Sequence, residues 1–217
     1  MKRPQINTIL FDMDGVVIDS EKLHIRAMGM TLDKFGIPYP ESLLDEFVGK
    51  SDTSFFEYVY NNIDSRIGIE EMLSNKNIFF EELMVELLHV EGFDKFISFV
   101  KENSFQKALV TSSSLFTVNK VDKLLNIKHH FDIVITEEDT RRHKPDPEPY
   151  LLALSRFNAD NSNTLVIEDS ISGVIAGKAA GCMVAGITTS FEKGVLLDAG
   201  ADFVVDRFDE ITFYINY

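Results

Sequence analysis

Short apolar runs, each followed by a helical pattern, constrain this chain more than anything else in its sequence. Thr8 to Phe11, Ala108-Leu109-Val110, Ile133-Val134-Ile135, Thr164-Leu165-Val166-Ile167 and Met183-Val184-Ala185-Gly186-Ile187 are near-continuous rather than alternating, and Phe203-Val204-Val205 adds a sixth. A strand that is apolar on both sides has to be covered on both faces. Helical segments between such strands make βα units, so a parallel sheet with helices on either side is predicted. With 45% apolar residues and 18 phenylalanines in 217 residues, the chain has the material for a sizeable core.

Between Phe11 and Ala108 lies far more chain than one crossover helix needs, which predicts an insertion. Ile25, Met28, Leu32 and Phe35 share a helical face that Gly36 ends, with Pro38 beyond. A second helix is expected from Ser51 or Asp52, burying Phe55, Phe56 and Val59, and a third carries Met72, Leu73, Phe79, Phe80, Leu83 and Leu87. Residues 18–88 therefore read as a small helical domain, and residues 1–17 with 89–217 as the sheet domain.

The formal charge of −14 argues against nucleic acid or an anionic membrane as partner, because both need a broad basic face. No apolar run reaches spanning length, and the one after Met1-Lys2-Arg3 is too short for a signal peptide. One cysteine, Cys182, excludes an internal disulfide and is expected as a small packed side chain. A soluble, cytoplasmic protein, monomeric by default, is expected.

In an open parallel sheet, ligands bind beyond the carboxyl ends of the strands. There the sequence places Asp12-Met13-Asp14-Gly15, then Thr111-Ser112-Ser113-Ser114, then Glu168-Asp169-Ser170. The loop after the third strand carries Arg141-Arg142-His143-Lys144-Pro145, with Asp146 and Pro147 suited to open the next helix. Four carboxylates at adjoining strand ends repel one another unless a cation neutralises them. Mg²⁺, a hard ion that takes one or two carboxylates plus water and phosphate oxygens, fits that need. Thr111 and Lys144 add a hydroxyl and an ammonium for a phosphoryl group.

Taken in order, these motifs resemble those of the haloacid dehalogenase (HAD) superfamily over nearly the whole chain. Asp12-Met13-Asp14-Gly15-Val16 is similar to its first motif, Thr111-Ser112 to the second, Lys144-Pro145 with Asp146-Pro147 to the third, and Glu168-Asp169-Ser170 with Gly173 to the fourth. The insertion resembles the helical cap of the subfamily that contains phosphoglycolate phosphatase and β-phosphoglucomutase. The resemblance implies an α/β fold, a Rossmann-like parallel sheet with an inserted helical cap domain. It further implies a Mg²⁺-dependent phosphatase of a small phosphorylated metabolite. Asp12 would be the nucleophile and Asp14 the general acid and base. Thr111, Ser112 and Lys144 would bind phosphate. The Asp12 carboxylate, the Asp14 carbonyl and Asp169 would hold the metal, with Glu168 as an outer partner or second carboxylate ligand.

In the cap, the resemblance points to His24, to Gly49 and Lys50 in the loop 47–52, and to Lys76 beside Asn77 as residues that read the substrate; each is also an ordinary surface residue of a helix or loop. The runner-up activity is a β-phosphoglucomutase-like transfer between sugar hydroxyls. That mutase carries an arginine three residues after the cap-loop glycine, where this chain has Asp52, and an anion there favours hydrolysis. Dehalogenase-type relatives lack the second aspartate of the first motif, and a phospho-accepting receiver domain is shorter and has no such insertion. His143 stands where relatives have glycine, which is expected to limit positive φ beside Lys144.

Overall fold

The computed structural model describes residues 5–48 and 51–215. The chain forms two compact units, one of Met1–Asp19 with Leu88–Tyr217 and one of Ser20–Leu87. Six strands build the first unit: β1 (Thr8–Phe11), β2 (Gln106–Val110), β3 (Ile133–Ile135), β4 (Thr164–Glu168), β5 (Met183–Ile187) and β6 (Phe203–Val205). Its helices are α5 (Phe93–Glu102), α6 (Leu115–Leu125), α7 (Glu148–Phe157), α8 (Ile171–Ala179), α9 (Lys193–Asp198) and α10 (Phe208–Ile215). The second unit holds α1 (Glu21–Lys34), α2 (Glu41–Asp45), α3 (Asp52–Asn62) and α4 (Ile69–Leu83).

All six strands pair in parallel, in the order β3-β2-β1-β4-β5-β6. This is the α/β sheet that the apolar runs predict, and the alternation of side chains explains its two layers. Leu10, Val110, Ile135, Val166, Val184 and Val204 share a core with Tyr150, Ala153 and Leu154 of α7, Val174 and Ala176 of α8 and Leu196 of α9. One residue on, Phe11 points to the other face, edge-on to Phe93 and Phe96 of α5 at 6.2 and 6.0 Å. Phe208 of α10 closes that layer against Phe93 at 6.0 Å. Cys182 is a packed core residue, 2% exposed, and burial pushes its thiol up to about 12.

Strand register sets the site. Phe11 pairs with Leu109 of β2 and Ile167 of β4, so Asp12, Val110 and Glu168 follow at one level. From β1 the chain winds outward to β2 and β3, then returns to β4 on the other side of β1. The switch point thus lies between β1 and β4, the place at which an open parallel sheet of this kind binds its ligands.

The second unit has its own core of Met28, Leu32, Phe47, Phe55, Phe56, Val59 and Met72. As the sequence predicts, α1 ends at the Phe35 cap with Gly36 at φ +62°, and Ser51 opens α3, its Oγ accepting from the Ser54 N–H at 3.2 Å. Helix α2 was not anticipated. It starts directly after Pro40, a residue that stops one helix and is equally suited to begin another. Among the described residues no helix is long and apolar enough to cross a membrane.

Candidate active site

Asp12 prolongs β1 by one step, its N–H donating to Ile167 O at 3.1 Å. The residue is 8% exposed, and its Oδ1 accepts from Lys144 Nζ at 2.5 Å. Lys144 arrives from the loop between β3 and α7, where its peptide bond to Pro145 is cis. Three acceptors take up the three ammonium protons: Asp12 Oδ1, Glu168 Oε1 at 2.6 Å and Val110 O at 2.9 Å.

Glu168, fully buried at the end of β4, is the most heavily bonded carboxylate of the group. Its Oε1 also accepts from the Tyr150 hydroxyl at 2.6 Å. Oε2 accepts the Asp169 N–H at 3.2 Å, the Ser170 N–H at 3.3 Å and Ser170 Oγ at 3.0 Å. Ser170 simultaneously caps α8, its Oγ accepting from the Gly173 N–H at 3.1 Å. A Cβ on Gly173 would overlap the Glu168 carboxyl group, so the glycine does more than let α8 approach the sheet.

After Asp12 the chain turns at once, with the Val17 and Ile18 N–H groups both donating to Met13 O, at 2.8 and 3.0 Å. Asp14 lies on this turn and not on a continued strand, so its direction comes from the turn and not from the strand repeat. Its Oδ2 accepts from Ser113 Oγ at 3.0 Å. Gly15 has φ +70°, and a Cβ there would overlap the Asp169 carboxylate; only glycine meets both demands. From the loop after β5, Ser190 Oγ donates to Asp169 Oδ2, and Thr189 Oγ1 donates to Gly15 O at 2.5 Å. Thr111, 3% exposed, accepts the Ser113 N–H on its Oγ1 at 3.0 Å, which leaves its own proton to give. Ser112 is exposed in the same loop.

Burial raises the Asp12 carboxyl to about 7; the Lys144 ammonium opposes that shift, while Glu168 and Asp14 reinforce it. Asp169 is likewise pushed well above the usual carboxylate range, by burial first and then by Asp12 and Glu168. Burial works against the charge on Lys144, but the adjacent Asp12 and Glu168 carboxylates outweigh it and hold the ammonium above its ordinary value. Asp12, Glu168 and Asp169 offer oxygens that all lie within 4.8 Å of one another. One ammonium cannot neutralise three buried carboxylates, and an all-oxygen set of this size fits a hard divalent cation.

Arg141 and Arg142 do not join Lys144. Both are exposed, and Glu148 holds them beside α7: the Arg141 N–H reaches its Oε1 at 3.0 Å and Arg142 Nε its Oε2 at 3.1 Å. His143 is not among the described residues with positive φ, so the absence of glycine there puts no strain beside Lys144. Pro147 is the N-cap of α7 rather than its first residue, while Asp146 Oδ1 still accepts the Glu148 N–H at 2.9 Å. In the second unit His24 and Lys76 come together. Lys76 is no solvated charge: it is 1% exposed, with Nζ 2.5 Å from both His24 Nδ1 and Asp52 Oδ2. His24 stacks on Phe80 at 3.9 Å. Gly49 and Lys50 lie outside the described residues.

Sequence reasoning placed Ser113 among the polar residues that close the second strand but gave it no role, and it did not find Tyr150, Thr189 or Ser190. A usable signal existed for the last two, since Thr188-Thr189-Ser190 closes the fifth apolar run as the other polar triplets close theirs. Tyr150 carried none, being one more apolar-face residue of a helix.

Residues 9–187 match the family model of haloacid dehalogenase-like hydrolases. The chain belongs to that family. Among curated relatives, a phosphorylated carbohydrates phosphatase of Thermotoga maritima is 31% identical over 90% of this chain and 92% of its own. The pyrophosphatase PpaX of Bacillus velezensis is 32% identical over 97% of each chain. A solved Thermotoga maritima structure, provisionally assigned as a beta-phosphoglucomutase, superposes with TM-score 0.80 at 29% identity, covering 97% of both chains. CbbY from Rhodobacter sphaeroides, solved with phosphate, has the same fold at TM-score 0.75 and 23% identity, over 98% of this chain and 100% of that one.

Proposed function

We propose that this haloacid dehalogenase-family hydrolase is a Mg²⁺-dependent phosphatase of a small phosphomonoester, first of all a phosphorylated carbohydrate, working through an aspartyl phosphate on Asp12. The observation that carries the reading is the Asp12 carboxylate at the switch point, with Lys144 on Oδ1 at 2.5 Å and Asp169 within metal-sharing distance. In the first step an Asp12 oxygen attacks phosphorus, the bond to the ester oxygen breaks, and that oxygen takes a proton from the Asp14 carboxyl group. Water then attacks the same phosphorus, passes a proton to Asp14 and breaks the bond to Asp12. Inorganic phosphate leaves, and both aspartates return to their starting forms.

Ser113, bonded to Asp14 Oδ2, orients that carboxyl group for both proton transfers. Lys144 opposes charge on the transferring group, Thr111 has its hydroxyl proton to give to a phosphate oxygen, and Ser112 adds an N–H. Asp12, Asp169 and the Asp14 carbonyl would hold Mg²⁺, with Glu168 beside them. Bound there, the ion supplies positive charge next to the phosphoryl group. The first unit serves as catalytic core and the second as cap, with His24, Gly49, Lys50 and Lys76 reading the remainder of the substrate. The names of the Thermotoga and Bacillus relatives, both hydrolases of phosphoryl bonds, support hydrolysis over transfer. A charge of −14 supports an enzyme without nucleic acid or anionic-membrane partners, and cytoplasmic, monomeric action completes the proposal.

The test is phosphate release from p-nitrophenyl phosphate with and without Mg²⁺, for the wild type and Asp12→Asn. Metal-dependent turnover that disappears in the variant is expected, followed by a panel of sugar phosphates and pyrophosphate. Turnover that survives in Asp12→Asn would overturn the assignment of the nucleophile.

A further inference from the structure

Tyr150 is fully buried on the first turn of α7, in a core of aliphatic side chains, and its hydroxyl is directed at a charged pair, Glu168 with Lys144. A buried tyrosine is ordinarily a packing residue whose hydroxyl needs a single partner. Here the partner is Glu168 Oε1, the same oxygen that takes Lys144, and the Lys144 ammonium also sits 4.9 Å from the centre of the Tyr150 ring. Tyr150 thus touches both members of the pair.

We propose that Tyr150 is a positioning residue for the phosphoryl-transfer site, sharing Glu168 with Lys144 so that the ammonium stays divided between Glu168 and Asp12. The inference rests on the phosphatase reading. Its physical basis is competition for one oxygen. Lys144 has three N–H groups and gives them to Asp12, Glu168 and Val110. Oε2 of Glu168 is saturated by three donors from Asp169 and Ser170, so any change in the partners of Oε1 falls on Lys144. Without the phenol, Oε1 has only the ammonium to satisfy it and draws it from Asp12. Lys144 then meets the charge that develops on the phosphoryl group less well, while the groups that bind the rest of the substrate are untouched.

Tyr150→Phe isolates the hydroxyl, because the ring and its contact with Lys144 remain. Partners of this outer kind change activity by about 10- to 100-fold when removed. The expected result with p-nitrophenyl phosphate and Mg²⁺ is a drop of about tenfold in kcat and in kcat/KM, with KM and the half-saturating Mg²⁺ concentration within about twofold of wild type. In a Glu168→Gln background the same substitution is expected to cost less than about threefold, because its target is already altered. A variant with wild-type kcat and a lowered melting temperature would show Tyr150 to be a packing residue and overturn the inference alone. Equal losses in both backgrounds would do the same, since Tyr150 would then act elsewhere. A wild type that turns over neither the aryl phosphate nor the sugar-phosphate panel overturns the phosphatase reading, and this inference with it.

Discussion

Gly173→Ala gives two opposite answers depending on whether the residue is judged by its helix or by its neighbour. At the third position of α8, alanine is the better helix former, by at most about 1 kcal/mol. The added methyl group, however, would stand where the Glu168 carboxyl group is, and Glu168 cannot give way. It is fully buried on β4 and fixed by Lys144, Tyr150, Ser170 and two backbone N–H groups. Overpacking costs about 1–3 kcal/mol. Breaking part of this hydrogen-bond set adds about 1–3 kcal/mol more, because the displaced groups stay buried. The clash therefore wins, with a net loss of about 1–5 kcal/mol once the helix gain is subtracted. For a chain of this size the melting temperature should fall by roughly 2–20 °C. Urea melts of metal-free Gly173→Ala and Gly194→Ala against the wild type make the comparison. At Gly194, in α9, a Cβ meets nothing within 4 Å, so that control should be neutral or slightly stabilised. A Gly173→Ala protein as stable as the wild type would refute the reasoning, since it would mean that Glu168 moves freely.

Two further outcomes follow from the charges. In the metal-free protein the Asp12 carboxyl lies near 7 against an ordinary value of 3.8, so between those values the folded state holds more protons than the unfolded one. Its contribution is fully present below about pH 3.8 and lost as pH rises through about 7; metal-free Asp12→Asn should therefore melt above the wild type at pH 7.5, and the gap should close towards pH 5. His130 shows the opposite sign: burial, reinforced by Lys101, His129 and His89, lowers it to about 4, so the unfolded state takes up the proton first and stability should fall as pH drops from about 6.5 to 4. His130→Gln should flatten that slope in thermal melts across the same range, and an unchanged slope would assign it to other groups.

The six strands were legible because a strand buried on both faces has to be apolar throughout, and such runs have few other readings. Ile133–Ile135, Met183–Ile187 and Phe203–Val205 begin and end where their apolar runs do. β2 begins two residues earlier, at Gln106, on polar residues that pairing with β1 accommodates at the sheet's edge of entry. The helix of Phe55, Phe56 and Val59 was readable from its cap and its spacing. Asp12, Asp14, Thr111, Lys144, Glu168 and Asp169 could be singled out because polar residues that close buried strands are conspicuous.

By itself, then, the sequence determined the sheet, three of the inserted helices (α1, α3 and α4) and the set of polar groups gathered at the strand ends, since periodicity and burial are local properties of a chain. Only the tertiary structure decided how those groups share their protons. Tyr150 and Glu168 are 18 positions apart, and Lys144 and Asp12 are 132 apart. That Lys144 divides between two carboxylates, that Gly173 makes room for one of them, and that Lys76 is buried on Asp52 and His24 are outcomes of packing. A hydrogen bond depends on distances of a few tenths of an ångström between residues remote in the chain, and no local pattern encodes that separation.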